Sequence, residues 1–496
     1  MSLFRLPAEL ISNILEYLDC KSLLAWREVC RGFKASVDTS SLLRYQIALY
    51  ASGMQDGPPG PIAVADRLAK LEAYDEAWRN LEWKAHAESA LPSTSLWELY
   101  GGIWARSKGR KTLVFRQLPS RTRGVEERQW EVATDVVLRD FGLDSCQDLL
   151  VLVEKLQSGT NLCSVHLRTL SSGARHPLAP KSGILEYERP IEDTARTDWS
   201  YSIRVSGDYV GILFLNDPAA LCELFVWEWK TGVLRLKIVE PQMRSFTFLE
   251  VFYVLVGAIE SNTGPGFPSL FAYDLHELST QGLGIEDTPS VCSFQLPLAA
   301  PNRPAWELLM SCDPAPNWFP NPELGTPFYT GEDDRLIVLN LQFLVAPVIR
   351  SHTIVIHSRV LSTVIATLRR DGGEKVIPWE AWQHGCQLLP EHGHWSTWSC
   401  STFGMRYVCP KPIQRGGVRM VRVRDFHPTR VNRAEEAARD EAGIYGLPQF
   451  QHVLPSVIKE VPLPDQLQNS ARLQLMISED NIVALEVSGS LAQSAL

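Results

Sequence analysis

Apolar residues near the start of the chain recur at the spacing of one helical face. Leu10, Ile11, Ile14, Leu15 and Leu18 form one such stripe, behind Pro7 at a position where a first-turn proline is tolerated. Asp19 is placed to cap a second helix carrying Leu23, Leu24, Trp26, Val29 and Cys30. Gly32 then interrupts before Phe33 and Val37, which predicts several short helices over residues 6–50 rather than one long one. Their apolar faces are large for so small a unit and would gain from a partner surface.

The pattern changes twice further on. Gly53 to Pro61 reads as a linker or sharp turn, and Ile62, Ala65, Leu68, Leu71, Trp78 and Leu81 predict another amphipathic helix ending near Ala90. After about residue 95 short β-prone runs take over, separated by Gly, Pro, Asn and Asp. They are Thr112–Arg116, Leu149–Val153, Ser164–Leu167, Tyr209–Phe214, Leu224–Trp229, Val233–Ile238, Phe246–Val256, Leu270–Tyr273, Arg335–Val345, Thr353–His357, Arg419–Val423 and Leu473–Val487. Many short strands with turn signals between them predict an all-β propeller or, as the alternative, a β-sandwich.

A weak repeat favours the propeller. The run Phe225-Val226-Trp227-Glu228-Trp229-Lys230-Thr231-Gly232 is echoed at Leu270–Leu275 and at Arg422–Phe426. Glu228 and Asp274 are 46 positions apart, about the length of one four-stranded blade. The expected fold class is therefore α+β and multidomain. A helical module spans 1–50, a linker and connecting helix 51–95, and a large β-rich, propeller-like target-recognition domain 96–496.

Composition narrows the class. At 496 residues, 45% apolar and 21% charged, the chain has ample material for a core and for more than one domain. A net charge of −9 argues against a nucleic-acid or acidic-membrane partner. The longest charge-free apolar run, between Arg335 and Arg350, is 14 residues and too short to span a bilayer. The opening residues do not read as a secretory signal, and no Asn-x-Ser/Thr site occurs. Ten cysteines without a Cys-x-x-Cys pair read as reduced thiols, placing the expected compartment in the cytoplasm or nucleus.

Four elements at the N-terminus stand in a definite order: Leu6-Pro7-Ala8-Glu9-Leu10, then Ile14-Leu15-Glu16-Tyr17-Leu18, then Leu23-Leu24, then Val29-Cys30-Arg31-Gly32-Phe33. Together they resemble the F-box over residues 4–43. That resemblance implies docking on the Skp adaptor and, through it, on a cullin-RING ubiquitin ligase of the SCF type. It further implies that Leu6, Pro7, Leu10, Ile14, Leu18, Leu24, Val29, Cys30 and Phe33 supply the adaptor interface or the core beneath it. A tryptophan is common in the family where Phe33 stands, and an aromatic anchor is kept here. The whole arrangement also looks like fungal F-box proteins with propeller-like C-terminal regions. The implied function is a non-catalytic substrate receptor that holds an unidentified protein target, with no cofactor. The alternatives are an F-box scaffold acting without the cullin, or a ligand-binding or catalytic propeller with a helical extension.

Other residues carry weaker chemistry. His384, Cys386, His392 and His394 cluster within 11 residues, but not at zinc-finger spacing, and Pro390 and Gly393 mark a loop. Arg415, Arg419, Arg422, Arg424, Arg430 and Arg433 form a basic cluster, with Arg422 and Arg424 expected on the solvated side of an edge strand. Such arginines suit an acidic or phosphorylated target, although Glu435, Glu436, Asp440 and Glu441 are placed to neutralise them. Trp227 and Trp229 are expected in the core between blades. No Gly-x-Ser-x-Gly, phosphate-binding glycine loop or His-Glu-x-x-His is present.

Overall fold

The computed structural model describes residues 7–81, 96–155, 162–188, 200–215, 221–260, 267–277, 284–285, 287–297, 305–331, 335–345, 348–389, 400–411, 417–433, 454–468 and 473–486. Four short helices open the chain: α1 (Ala8–Glu16), α2 (Cys20–Val29), α3 (Arg31–Thr39) and α4 (Ser41–Ser52). Pro7 is the N-cap of α1 rather than a first-turn residue. Asp19 caps α2 as expected, its carboxylate accepting the Ser22 N–H at 2.8 Å. The break between α2 and α3 falls at Cys30, whose extended backbone and thiol cap α3. Gly32, expected to make that break, sits inside the first turn of α3. Ile11, Leu15, Leu23, Val37 and Leu43 close the core of this helical unit.

The segment expected as a linker is partly structured. Strand β1 (Met54–Asp56) follows α4 directly, and α5 (Val64–Asn80) follows it. The helix predicted from Ile62 onward is thus present but stops at Asn80 instead of near Ala90, with Leu81 in the left-handed conformation as its C-cap; residues 82–90 lie outside the described residues.

Six blades follow, each a four-stranded antiparallel sheet built around strands in near-sequential order. The first comprises β2 (Trp97–Tyr100), β3 (Ile103–Ser107), β4 (Thr112–Gln117) and β5 (Arg128–Ala133). The second comprises β6 (Leu138–Asp144), β7 (Leu149–Glu154), β8 (Leu162–Thr169) and β9 (Ile184–Glu188). The third comprises β10 (Ser200–Ser206), β11 (Tyr209–Leu215), β12 (Cys222–Glu228) and β13 (Val233–Glu240). The fourth comprises β14 (Met243–Phe248), β15 (Tyr253–Glu260), β16 (Phe267–Asp274) and β17 (Cys292–Gln295). The fifth uses β18 (Ala305–Ser311), then, after the short β19 (Phe328–Thr330), β20 (Leu336–Val345) and β21 (Val348–His357). An insertion then carries α6 (Ser358–Asp371), β22 (Val376–Ile377) and α7 (Trp379–Trp382) before β23 (Cys386–Leu389) completes the fifth blade. β22 adds to the fourth blade as a parallel fifth strand, covering its outer edge. The sixth blade is β24 (Thr402–Phe403), β25 (Arg406–Pro410), β26 (Met420–Asp425) and, beyond α8 (Pro428–Arg433), β27 (Val457–Pro462). A last hairpin, β28 (Leu473–Ile477) and β29 (Ile482–Glu486), ends the described chain.

The cores explain why this is a propeller and not a sandwich. Each large apolar cluster joins one blade to the next: first to second, second to third, third to fourth, fourth to fifth, and fifth to sixth. A sandwich would instead place one core between two sheets. The final hairpin closes the circle. Leu475 and Ile477 pack with Val408, Val421 and Val423 of the sixth blade, and Met476 and Leu485 with Leu99 of the first.

The weak repeat falls on one structural position. Glu228, Asp274 and Asp425 end β12, β16 and β26, the third strand in each of their sheets. Phe225, Trp227 and Trp229 lie almost fully buried between the second and third blades, as expected. Two predicted runs proved to be pairs of strands. Phe246–Val256 divides at Leu249–Phe252, and Leu473–Val487 divides at Ser478–Asn481.

Candidate functional site

The helical unit separates its apolar residues into two sets. Ile11 and Leu15 turn inward, whereas Leu10 and Ile14 on the same helix remain 47% and 44% exposed. Tyr17 continues their stripe one turn later, almost wholly in water, and Val29 at the end of α2 is also exposed. Pro7 is exposed beside them in sequence. Leu18 and Leu24 are half-buried, Leu18 packing against the helical core. Cys30 is half-buried, and its sulfur accepts the Phe33 N–H at 3.5 Å. Phe33 is buried and stacks on Trp26, ring centres 3.9 Å apart, so it is part of the inner packing. Leu6 lies outside the described residues. Tyr17 was within reach of sequence reasoning, since Leu10, Ile14 and Tyr17 keep the i, i+4, i+7 spacing of one face.

The arrangement is a small helical body with a closed core and a second apolar surface left in water. The side chains of Leu10 and Ile14 there, and of Val29 at the end of α2, offer no hydrogen bonds and no nucleophile. What they can do is exclude water against a matching groove.

This body is fastened to the propeller. β1 pairs antiparallel with β19, Gln55 opposite Tyr329, in the insertion between the first two strands of the fifth blade. An apolar core follows at the same joint, formed by Tyr45, Leu49, Met54, Leu68, Leu71, Tyr74 and Phe328. Arg67 reaches Asp56 at 2.7 Å, and Tyr45 donates to Asp56 and to the Pro327 carbonyl. Arg430 of α8 bridges Asp75 of α5, at 2.7 Å, and Asp425 at the end of β26. Arg123 of the first blade pairs with Glu479, at 2.6 Å, and with Asp480 in the closing hairpin. Tyr74 from α5 donates to the Glu479 carbonyl and accepts from Arg406. Burial pushes the Tyr74 hydroxyl up to about 12, so it stays a neutral donor.

All these contacts lie at one end of the blade strands, the end where first strands turn into second and third into fourth. The turns between second and third strands lie at the opposite end.

Near the propeller axis, Glu98, Tyr100, Arg204 and Asp313 line a cavity of about 20 Å³, room for one water molecule. Burial pushes Glu98 up to about 8 and Asp140 up to about 7. Glu98 faces this narrow cavity rather than bulk water, so desolvation governs it although part of its surface is accessible. Arg204 stands 3.8 Å from Asp313.

The remaining sequence candidates sort differently from expectation. β26 is an interior strand between β25 and β27, not an edge. Arg424 is fully buried rather than solvated, and Arg422 pairs with Glu460 at 2.7 Å. Arg422, Arg424 and Arg430 are thus drawn into internal contacts instead of forming a face for a phosphorylated target. Arg415, Glu435, Glu436, Asp440 and Glu441 lie outside the described residues. Cys386 is buried at the start of β23 and His384 precedes it in a short turn, while His392 and His394 lie outside the described residues. Among the described residues, no group of three or more His, Cys, Asp or Glu side chains is placed to hold a metal. No helix among them is long and apolar enough to cross a membrane.

Comparison with known proteins touches the two parts unequally. Similar solved structures include a Synechocystis apocarotenoid oxygenase, 11% identical, covering 52% of this chain and 55% of that one with a TM-score of 0.27. The chain thus matches about half of that oxygenase's length. The extracellular domains 1-2 of Drosophila Semaphorin 1b are 9% identical, covering 81% of this chain and 86% of that one with a TM-score of 0.37. Likenesses this loose carry no argument about function. A search of curated proteins finds no match. At the N-terminus, a family model described as F-box-like matches residues 3–48. The chain therefore carries an F-box-like domain at its N-terminus, followed by a six-blade β-propeller arrangement.

Proposed function

We propose that this chain is the substrate-recognition subunit of an SCF-type cullin-RING ubiquitin ligase. The helical unit docks on the Skp adaptor, and the propeller holds a protein target. The observation that carries the reading is the exposed stripe of Leu10, Ile14 and Tyr17, with Val29, on an F-box-like domain whose core is already closed. These residues add little to folding, so their apolar character is explained by a partner.

The mode of action is proximity. Binding a target beside a ubiquitin-loaded enzyme raises the effective concentration of its lysines, and no side chain of this chain takes part in bond making. The thiols fit that role. Burial raises Cys146, Cys312, Cys386 and Cys400 above the ordinary range and pushes Cys292 up to about 12 and Cys409 to about 11, the reverse of an activated nucleophile. The joint between the helical unit and the propeller supports presentation at a fixed geometry, which places the target rather than leaving it on a tether. Action in the cytoplasm or nucleus follows from this reading.

The test is co-purification of the full chain with the Skp adaptor, beside a Leu10→Asp/Ile14→Asp variant. Both side chains are about half exposed, so the free variant is expected to fold with a circular-dichroism spectrum and melting temperature close to wild type. Burying an unpaired carboxylate against an apolar groove costs more than the roughly 2–7 kcal/mol of an unpaired neutral polar group, and two of them abolish the complex. Equal recovery of adaptor by both proteins would remove the stripe from the interface.

A further inference from the structure

The insertion between β18 and β20 begins on the propeller axis. Cys312, Asp313, Ala315 and Pro316 form one wall of the axial cavity. From there the segment is tied into blade after blade, at the ends of their first strands or in the turns that follow. The Gly404 N–H donates to the Asp313 carbonyl at 2.8 Å, and the Ala315 N–H donates to the Tyr100 hydroxyl at 3.2 Å. The Ser206 hydroxyl donates to the Pro316 carbonyl, and Arg335 donates to the carbonyls of both Pro314 and Leu249. The Cys146 thiol lies against the Phe319 backbone. These partners belong to the sixth, first, third, fourth and second blades, so the segment closes the axis at the end where the helical unit is fastened.

The same segment continues into the joint. Trp318 packs edge-on against Phe403 and Tyr329, with ring centres 5.4 and 6.4 Å away. Tyr329 is the middle residue of β19, paired with Gln55 of β1. Phe328 fills the apolar core of the joint, and the Thr330 N–H donates to the Glu479 carboxylate. The wall of the axial cavity and the strand that holds the helical unit are thus two ends of one packed stretch, residues 312–330. We propose that this stretch is an axial plug through which the charge of the propeller axis sets how firmly the helical unit is held.

The charge that changes is on Glu98. Facing it are Arg204 from β10, Asp313 from the plug, Asp140 from β6 and the Cys400 thiol just before β24, 3.7 Å from Glu98 Oε1. Arg139 accompanies Asp140, and Arg335 lies near Asp313. Asp313 Oδ1 is 3.8 Å from Arg204, and its Oδ2 makes no hydrogen bond with a described residue. While Glu98 keeps its proton, Asp313 and Arg204 balance each other. Once Glu98 ionises, two carboxylates share one guanidinium around a cavity with room for one water molecule, where screening is weak. Glu98 is fixed in a blade strand, whereas Asp313 is on the plug, so the plug is the part that gives way. Its movement passes through Trp318 and Tyr329 to β19 and loosens the pairing with β1. The direction follows from burial, which raises Glu98 to about 8. The joint is firmest at acidic pH, loosens as pH rises toward about 8, and changes little beyond.

The test is hydrogen exchange on the full-length chain, read by mass spectrometry at about pH 6 and about pH 8.5 and corrected for the intrinsic rate. Peptides covering β1 and β19 report the joint, and one covering β12 in the third blade reports global opening. In wild type, protection of β1 and β19 is expected to fall about tenfold relative to β12 between the two pH values. Glu98→Gln and Asp313→Asn each keep the shape and remove one of the two charges. Each is expected to hold that ratio within about twofold, and if one fails to fold the other still decides. The proposal is overturned if wild type shows no relative change, if β12 loses protection equally, or if either folded variant keeps the tenfold loss. The last result would place the titration on Asp140 or at the joint itself, where Glu479 faces Arg123 and Asp480.

Discussion

At Gly57 the backbone of the N-terminal unit lies directly against that of the propeller. A β-carbon there would lie 1.9 Å from the Thr326 carbonyl oxygen, a backbone atom with no freedom to yield, while the Gly57 N–H donates to the Pro327 carbonyl at 2.9 Å. Gly53, just before β1, ends α4 with φ +66°, the left-handed conformation that glycine adopts without penalty. A β-carbon at Gly53 would stand 2.5 Å from His427 Nε2. Gly57→Ala is therefore expected to force β1 away from β19 and destabilise the joint by about 2–4 kcal/mol. Chemical denaturation of the full chain, with limited proteolysis between residues 53 and 61 as a second readout, checks this. An unchanged midpoint and unchanged cleavage would show that the joint tolerates the side chain.

At the scale of elements, the helices were legible because their signal is local. The 3.6-residue period placed α1, α2 and α5, and Asp19 announced its own cap. Which of two adjacent stripes on α1 faces inward was not legible, because Ile11 and Leu15 are chosen over Leu10 and Ile14 by where α2, α3 and α4 pack. The blades were legible through one position in the third strand, where Glu228, Asp274 and Asp425 recur. Strand β1 was hidden: three residues between glycines find their partner at Phe328–Thr330, far along the chain. Arg424 was misplaced for a related reason. Alternation along β26 gave its two faces, but β27, the neighbour that makes it an interior strand, begins only at Val457. The turn dividing β14 from β15, Leu249–Phe252, contains neither Gly nor Pro and left no punctuation to read.

Taken whole, the molecule is a six-blade ring with a helical unit fixed at one end of its strands. That unit touches the insertion of the fifth blade through β1, the sixth blade through Asp75 and Arg430, and the closing hairpin through Tyr74. Among the described residues, the opposite end of the strands carries none of these contacts.

The ring's polar axis gives its stability a pH dependence. Burial raises Glu98 from an ordinary carboxylate value to about 8, so the folded state keeps a proton that the unfolded chain releases near 4.5. A raised carboxylate stabilises the fold least when ionised, so stability falls as pH rises from about 5 to about 8. Glu98→Gln keeps the shape without the charge. Its melting temperature is expected to fall less than that of wild type between pH 5 and pH 9, read by thermal melts at matched ionic strength. Parallel curves would mean that Glu98 is ionised throughout and compensated by Arg204.

The central claim is that this chain brings a target-holding propeller to a ubiquitin ligase, and assembly tests it most directly. Full-length chain, Skp adaptor and cullin-RING subunits, mixed and resolved by size exclusion with light scattering, are predicted to give a single complex containing one copy of each. In that complex the Leu10→Asp/Ile14→Asp chain is missing. A chain that captures the adaptor while excluding the cullin would contradict the ligase reading and leave an adaptor-bound scaffold. A chain that elutes alone would contradict the account at its root.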